Sequence, residues 1–184
     1  MVFAHDTEAN LTAAVDLVNT VGDPDDLRTL ADLDEFFVRY GFTGWRGRTR
    51  ADLEEIRALR PGLRELLLSP RDEAVAITNR WLADAQAIPQ LVRHDDVDWH
   101  VHAIADDRPL AQRIQVETAM AMIDVIREDE LSRLGICADE DCEGIVVDLS
   151  RNRSRRFCST ACTNRNAAAA YRARRTSCVG DEGE

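Results

Sequence analysis

The sequence predicts a mainly α-helical chain: a helical N-terminal domain carrying one small β-hairpin, followed by a compact C-terminal finger. Three observations lead to this. Apolar residues recur at the spacing of one helix face in successive stretches of the first 134 residues. Between residues 91 and 104 the period shortens to two, as in a half-buried strand. Beyond residue 135 lie all 5 cysteines, four of them in two close pairs.

Taken in order, residues 10–21 (NLTAAVDLVNTV) set Leu11, Ala14, Val15 and Val18 on one face, with Asn10 as the expected N-cap. GDPDD breaks the pattern, and Asp23, Asp25 and Asp26 beside Pro24 read as a solvated turn. Residues 30–40 resume it with Leu33, Phe36, Phe37 and Tyr40, and Gly41 is the expected stop. After the turn-rich GFTGWRGRTR, Leu53, Ile56, Leu59, Leu63, Leu66 and Leu67 keep helical period. Pro61 and Gly62 in their midst are expected to kink this helix or divide it. Residues 72–87 form a further helix with Val75, Ile77, Trp81 and Leu82 as its apolar members. Residues 91–94 and 97–104, split by Asp95 and Asp96, then read as a hairpin. Its second strand alternates Val97, Trp99, Val101 and Ala103 against Asp98, His100, His102 and Ile104. Asp106, Asp107 and Pro109 lead into a long helix expected over 110–134, with Ile114, Met120, Ile123 and Ile126 inward and Gly135 as its end. No repeat or low-complexity linker intervenes. Residues 1–134 therefore read as one domain, 135–178 as the finger and 179–184 as an acidic tail.

At 184 residues and 45% hydrophobic composition the chain can bury one core and a small second module. No stretch approaches the ~20 apolar residues of a membrane span, and the opening MVFAHDTEAN lacks a basic and then apolar leader. A cytoplasmic protein is expected, with no membrane partner. In that reducing setting clustered cysteines read as metal ligands before they read as disulfides. Charge is uneven as well: residues 1–150 hold 15 arginines against 31 acids, whereas residues 151–175 hold 8 arginines and no acid. Charges further apart than ~8 Å are largely screened at physiological salt, so a net charge of −11 leaves a local basic block able to meet phosphate.

The thiols fall as Cys137-x4-Cys142, fifteen intervening residues, then Cys158-x3-Cys162. Two close pairs at that separation are the ligand pattern of one structural Zn2+ held by four thiolates, which leaves no open position for catalysis. Cys158 and Cys162 are i and i+4, so a helix beginning near Ser159 would bring both sulfurs to one face. Ile145, Val146 and Val147 supply a short strand between the pairs. Knuckle, hairpin and helix thus follow in the order of a treble-clef zinc finger. Cys178, sixteen residues past Cys162, reads as an incidental free thiol.

The run from Cys137 to Arg174 resembles the CGNR zinc finger. The likeness rests on Cys-x4-Cys, a strand ending in Asp148, the stretch Ser150, Arg151, Asn152, the pair Arg155 and Arg156, aromatic Phe157 before Cys158, and Cys162, Asn164 and Arg165. Thr163 stands where that pattern has glycine, and Phe157 where tryptophan is common. Leu17, Val18, Asn19 and Thr20, with the leucine- and arginine-rich residues 59–67, are similar to the stress-related (ABATE-type) helical domain that accompanies such fingers. The resemblance implies a transcriptional regulator with a zinc-bearing DNA-binding module.

From the residues themselves, Arg151, Arg153, Arg155 and Arg156 precede the third cysteine, and Arg165, Arg172, Arg174 and Arg175 follow the fourth. Cys158, Cys162, Arg165, Ala169 and Arg172 form one helical stripe, and Ala167 to Ala170 make a slim helix able to approach DNA closely. Arg151, Arg153, Arg172 and Arg174 are the first choices for phosphate; Arg165, beside a ligand, reads as structural. Two other readings stand beside this one. The basic block could dock on the acidic domain, or Arg155, Arg156 and Arg165 could serve Asp148 and helix-end carbonyls. A zinc-stabilised protein-interaction module without DNA binding is accordingly the alternative function. A homodimer would double the DNA contacts.

His100 and His102 share a strand face near Asp95, Asp96 and Asp98, but no third ligand or nucleophile motif accompanies them, so they read as solvent-facing. With no phosphate loop or nucleophile elbow, the chain is expected not to be an enzyme. A helical domain joined to a finger could instead sense an unidentified small-molecule effector, with Trp45, Trp81 and Trp99 as candidate pocket walls.

Overall fold

The computed structural model describes residues 3–22, 24–94 and 97–179. Asp23, Asp95, Asp96, the side chain of Cys178 and residues 180–184 of the acidic tail lie outside that description. Helices α1 (His5–Asn19), α2 (Leu30–Arg39), α3 (Arg50–Leu68) and α4 (Arg71–Asp84) precede an antiparallel hairpin of β1 (Gln90–His94) and β2 (Val97–His102). Helix α5 (Leu110–Arg127) follows, then a 3-10 turn at Leu131–Arg133. A second antiparallel hairpin, β3 (Leu134–Ile136) with β4 (Ile145–Val147), and helix α6 (Thr160–Val179) complete the order.

The mainly helical class, the first hairpin and the short strand at 145–147 agree with the sequence reading, whereas β3, its partner, falls where the end of a helix was expected. α5 is the central element, packed against α1, α3 and α4. Leu11, Leu17, Ile56, Leu63, Leu66, Ile114, Met122 and Val125 are buried there. Ile145 and Val147 of β4 belong to the same core, so the cysteine-bearing hairpin rests on the helical domain.

Local chemistry explains the starts and stops. Thr29 with Asp32 and Thr49 with Asp52 close reciprocal capping boxes at α2 and α3. α2 ends as expected at Gly41, whose φ of +64° allows the left-handed turn and whose neighbour Phe42 donates its N–H back to the carbonyl of Phe37.

Several expectations are corrected. α1 begins five residues earlier, at His5, which puts Asn10 inside the helix and not at its cap, while Asp6 and Glu8 complement the first-turn dipole. Pro61 and Gly62 do not divide α3. Pro61 lies on the exposed face, where one backbone bond is forgone, and a Cβ on Gly62 would come within 3.3 Å of Trp81, so the glycine admits that α4 ring. The long helix stops at Arg127 and does not reach Gly135. Asp129 takes φ +58°, and the N–H groups of Asp129 and Glu130 return to the carbonyls of Ile126 and Val125, a complete Schellman closure without glycine. Gly135 sits instead in β3. Strand β2 ends at His102, two residues before the expected Ile104. Val75 is exposed on α4, where Ala74, Ile77, Thr78 and Trp81 face inward. Asp25, read as part of a solvated turn, forms a two-pronged ion pair of 2.6 and 3.1 Å with Arg60, which is itself 5% exposed.

Among the described residues no ion pair reaches the buried carboxylate of Glu117. Glu117 on α5 is 9% exposed, and the Asn10 amide reaches it only at 3.5 Å. Arg113, one turn earlier, directs its three guanidinium nitrogens to the carbonyls of Arg108, Thr43 and Trp45. Burial pushes the Glu117 carboxyl up to about 7, with the backbone N–H of Ala103 opposing the rise. In the unfolded chain the group ionises near 4.5, so between these values the native state alone holds the proton. Its contribution is therefore greatest below about pH 4.5 and falls by ~3 kcal/mol as pH rises through 7. Glu117→Gln should be the more stable protein at pH 8, and urea unfolding should show its advantage shrinking steadily towards pH 5. An advantage independent of pH would count against this assignment.

Candidate metal centre

The knuckle begins where β3 ends. Cys137 donates its N–H to the Gly144 carbonyl at 2.8 Å, and the Cys142 N–H reaches the Asp139 carbonyl at 3.0 Å. Asp139 also accepts from the Asp141 N–H, closing a short turn that carries Cys142 back towards Cys137. Cys158 arrives at the end of a loop, and Ser159 caps α6 by accepting the Cys162 N–H at 3.2 Å. Cys158 itself precedes the helix; Cys162 lies in the first turn.

These four sulfurs lie within 4.8 Å of one another, with Cys142 to Cys158 at 3.5 Å and Cys158 to Cys162 at 3.7 Å. An ion bound tetrahedrally at ~2.3 Å from each sulfur sets them ~3.8 Å apart, so the donor set and spacing fit one Zn2+. Space around the cluster is equally specific. A Cβ on Gly144 would lie 2.9 Å from the Cys158 sulfur and 3.3 Å from both the Cys142 sulfur and the Asn19 carboxamide. Only glycine lets the backbone pass so close.

Donors to sulfur complete the centre. The N–H of Gly144 points to Cys142, that of Cys158 to Cys137, and the Arg165 guanidinium to Cys162, each at 3.4 Å. Burial disfavours the Cys137 thiolate, yet N–H donors from Cys158 and Asp139 outweigh it and hold that thiol below its ordinary value. Burial and the adjoining sulfurs push the Cys158 thiol up. Four sulfurs this crowded do not all ionise unaided; a divalent cation supplies the compensating charge.

Around this core each candidate residue has a place. Arg165 pairs with Asp139 at 2.7 Å, the structural part its position suggested, although its partner is Asp139 and not Asp148. Asp148, 5% exposed, accepts from the Ser150 N–H and hydroxyl and from the Arg155 N–H, pinning the loop between β4 and Cys158. Burial opposes ionisation there, but those donors prevail and its carboxyl lies below the usual range. Asn152 accepts from the Ser154 hydroxyl. Asn164 is exposed on α6. Thr163 is exposed too, its hydroxyl donating to the Ser159 carbonyl, so a β-branched residue is accommodated where the motif has glycine.

The chain matches the CGNR zinc finger over residues 133–175. It matches ABATE, described as "Putative stress-induced transcription regulator", over residues 11–129, more than half its length. The chain belongs to the ABATE family. No curated protein matches it. The joint between the ABATE domain and the CGNR finger is made by Asn19, the last residue of α1. Its carboxamide donates to the Ile145 carbonyl at 2.8 Å and accepts the Ile145 N–H at 2.7 Å, occupying both backbone groups of β4 at that point.

The basic block divides. Arg153, a first choice for phosphate, makes a two-pronged pair with Glu130 at 2.8 Å and also reaches Ser132, tying the loop to the segment after α5. Arg133, 8% exposed, donates to the same Glu130 and to the carbonyls of Asp148 and Ser150. Arg155 also reaches the carbonyls of Phe157 and Cys158, and the Arg156 guanidinium lies 5.9 Å from the Phe157 ring centre. Arg151, Arg155, Arg156, Arg172, Arg174 and Arg175 are exposed. Glu130, Arg133, Asp139 and Gly144 went unselected in the sequence reading, and Asn19 entered it only within the ABATE-like stretch Leu17 to Thr20. Of these, Gly144, two residues past a ligand, offered a local sign.

Three outcomes follow. Purified protein should carry one zinc per chain, and Cys158→Ser should abolish it while leaving most helical circular dichroism. Gly144→Ala should weaken zinc retention against a chelator by about tenfold or more without removing a ligand. Asn19→Ala should lower stability by about 2–4 kcal/mol in urea unfolding, because it strands two backbone groups at once.

Proposed function

We propose that the chain is a regulator whose CGNR finger binds duplex DNA through arginines on and beside α6, with the ABATE domain as its ligand-sensing or dimerisation module. One observation carries this reading. α6 runs for 20 residues from the zinc knuckle, and residues 167–175 of it are exposed, including Arg172, Arg174, Arg175 and the small face of Ala167 to Ala170. Among the described residues no side chain of α6 beyond its first turn is buried, and a helix so exposed and rich in arginine suits contact with a charged, hydrated partner.

A hollow of about 570 Å3 at the start of α6 supports the same reading. It is lined by Arg155, Arg156, Ser159, Thr160 and Thr163. Guanidinium groups, hydroxyls and the positive end of the helix dipole there are the donors that phosphate oxygens accept. Among the described residues no carboxylate pairs with Arg151, Arg155, Arg156, Arg174 or Arg175. Arg153 and Arg165, by contrast, are committed to Glu130 and Asp139 and belong to the scaffold on this reading. The finger's zinc holds the fold; the reading assigns it, and the chain, no catalytic step.

Titration of labelled duplex DNA at several salt concentrations tests this. Four phosphate contacts give a slope of log affinity against log salt near −3.6, and Arg172→Ala with Arg174→Ala should flatten it by about 2. Identical affinity and slope in the double variant would remove α6 from the interface. Absence of DNA binding at low salt would favour a zinc-stabilised protein-interaction module.

A further inference from the structure

We propose that the cleft between α1, α5 and β2 binds a small organic cation, a protonated amine carried on an apolar or aromatic body. The proposal rests on the reading of the ABATE domain as a sensing module and gives that module its site and ligand class. The cleft holds about 420 Å3. Its apolar wall is built from Phe42, Trp99, Val101 and Ile104; its acidic side chains are Asp6, Asp98, Asp106 and Glu117. A volume of that size with aromatic walls and a few convergent polar groups is the ordinary form of a small-molecule site.

Charge selects the ligand class. Among the described residues Arg113 is the one arginine lining the cleft, and its nitrogens are taken up by the carbonyls of Arg108, Thr43 and Trp45. Among the described residues Asp6 accepts backbone N–H groups, those of Thr7 and Val101. Glu117 is buried with no ion pair among the described residues. A carboxylate taken out of water without a counter-charge is unfavourable, and an ammonium group entering the cleft would provide one. An anion would meet four carboxylates. A neutral apolar guest would leave Glu117 as it stands. A metal ion is poorly served: among the described residues the four cysteines are the group whose ligand atoms converge, and no such set forms here. Trp99 already accepts a cation, with the Arg93 guanidinium 5.4 Å from its ring centre, so the wall can take part in the same contact.

Acidity then sets the working range. Glu117 is faced by Asp6 and Asn10 from α1, by Arg113 on its own helix, and by Asp106 and the Ala103 N–H from the segment before α5. His5, His100 and His102 line the same cleft; the two β2 imidazoles meet at 3.1 Å, and His102 lies 3.5 Å from Asp106. Because the Glu117 carboxyl titrates at about 7, an ammonium ligand draws it into the ionised form and releases a proton on binding at pH 6. Affinity should rise with pH through 7 and decline only as the amine itself loses its proton, near 10.

Calorimetry on the full-length, zinc-loaded chain tests this with 2-phenylethylammonium, tryptammonium and pentane-1,5-diammonium as probes, and phenylacetate and 2-phenylethanol as shape controls. At least one amine should bind, with both controls at least about tenfold weaker. Heats at pH 6 should vary with buffer in the sense of proton release, and Glu117→Gln, which keeps shape and fold, should weaken the amine about tenfold or more. Asp6→Asn should weaken it as well. No amine binding, equal binding of amine and controls, or amine affinity unchanged in Glu117→Gln would each overturn the proposal. DNA titration of the same samples keeps the two readings apart. Amine binding without DNA binding removes only the DNA-reading finger, and DNA binding without amine binding removes only the cleft.

Discussion

Four sulfurs drawn into a space 4.8 Å across are the constraint from which the C-terminal architecture follows. The finger's own apolar content is thin: Cys137, Val146 and Cys162 form its small buried cluster, with Phe157 partly covering it. So small a core does not repay the entropy of ordering some forty residues, and the metal–thiolate bonds supply what burial does not. The same constraint dictates the lack of a Cβ at Gly144, the tight turn through Asp139 and the direction in which α6 departs. Backbone and guanidinium N–H groups aimed at sulfur are part of it too, since they disperse the negative charge that four thiolates concentrate.

The finger is no loosely strung appendage. Ile145 and Val147 complete the core of the helical domain, Asn19 closes both backbone groups of Ile145, and Glu130 gathers Arg133 and Arg153 from either side of the hairpin. These contacts join the zinc knuckle to the ends of α1 and α5. The same two helices bound the cleft that holds Glu117. The cleft and the metal centre thus share two helices, touching them at opposite ends.

Much of this was legible in the sequence, and what was not has a physical cause. The cysteine spacing announced its own geometry, because ligands closing one tetrahedron must come in near neighbours. Helical periodicity found α1 to α5, and Gly41 marked a true stop. The end of α5 was misplaced because Gly135 is the conspicuous breaker, whereas the chain turns at Asp129, an ordinary residue that tolerates the left-handed conformation. Pro61 looked like a break since its effect on hydrogen bonding is local, while the packing that keeps α3 whole is tertiary. Asn19, Glu130 and Glu117 act through partners far along the chain or through burial, neither of which a linear pattern records. Arg153 was selected for phosphate from its place in the arginine run before Cys158; its pairing with Glu130, twenty-three residues earlier, is a long-range contact that such a pattern does not record.

α6 is gripped at one end. From Thr160 to Arg175 the helix extends ~22 Å, and exposed side chains surround it beyond the first turn. It is in effect a lever with its fulcrum at the sulfurs. A tilt of about 10° there swings the distal arginines by roughly 4 Å. Adjustments at the knuckle too small to disturb the thiolates are thereby magnified at the far end of the helix.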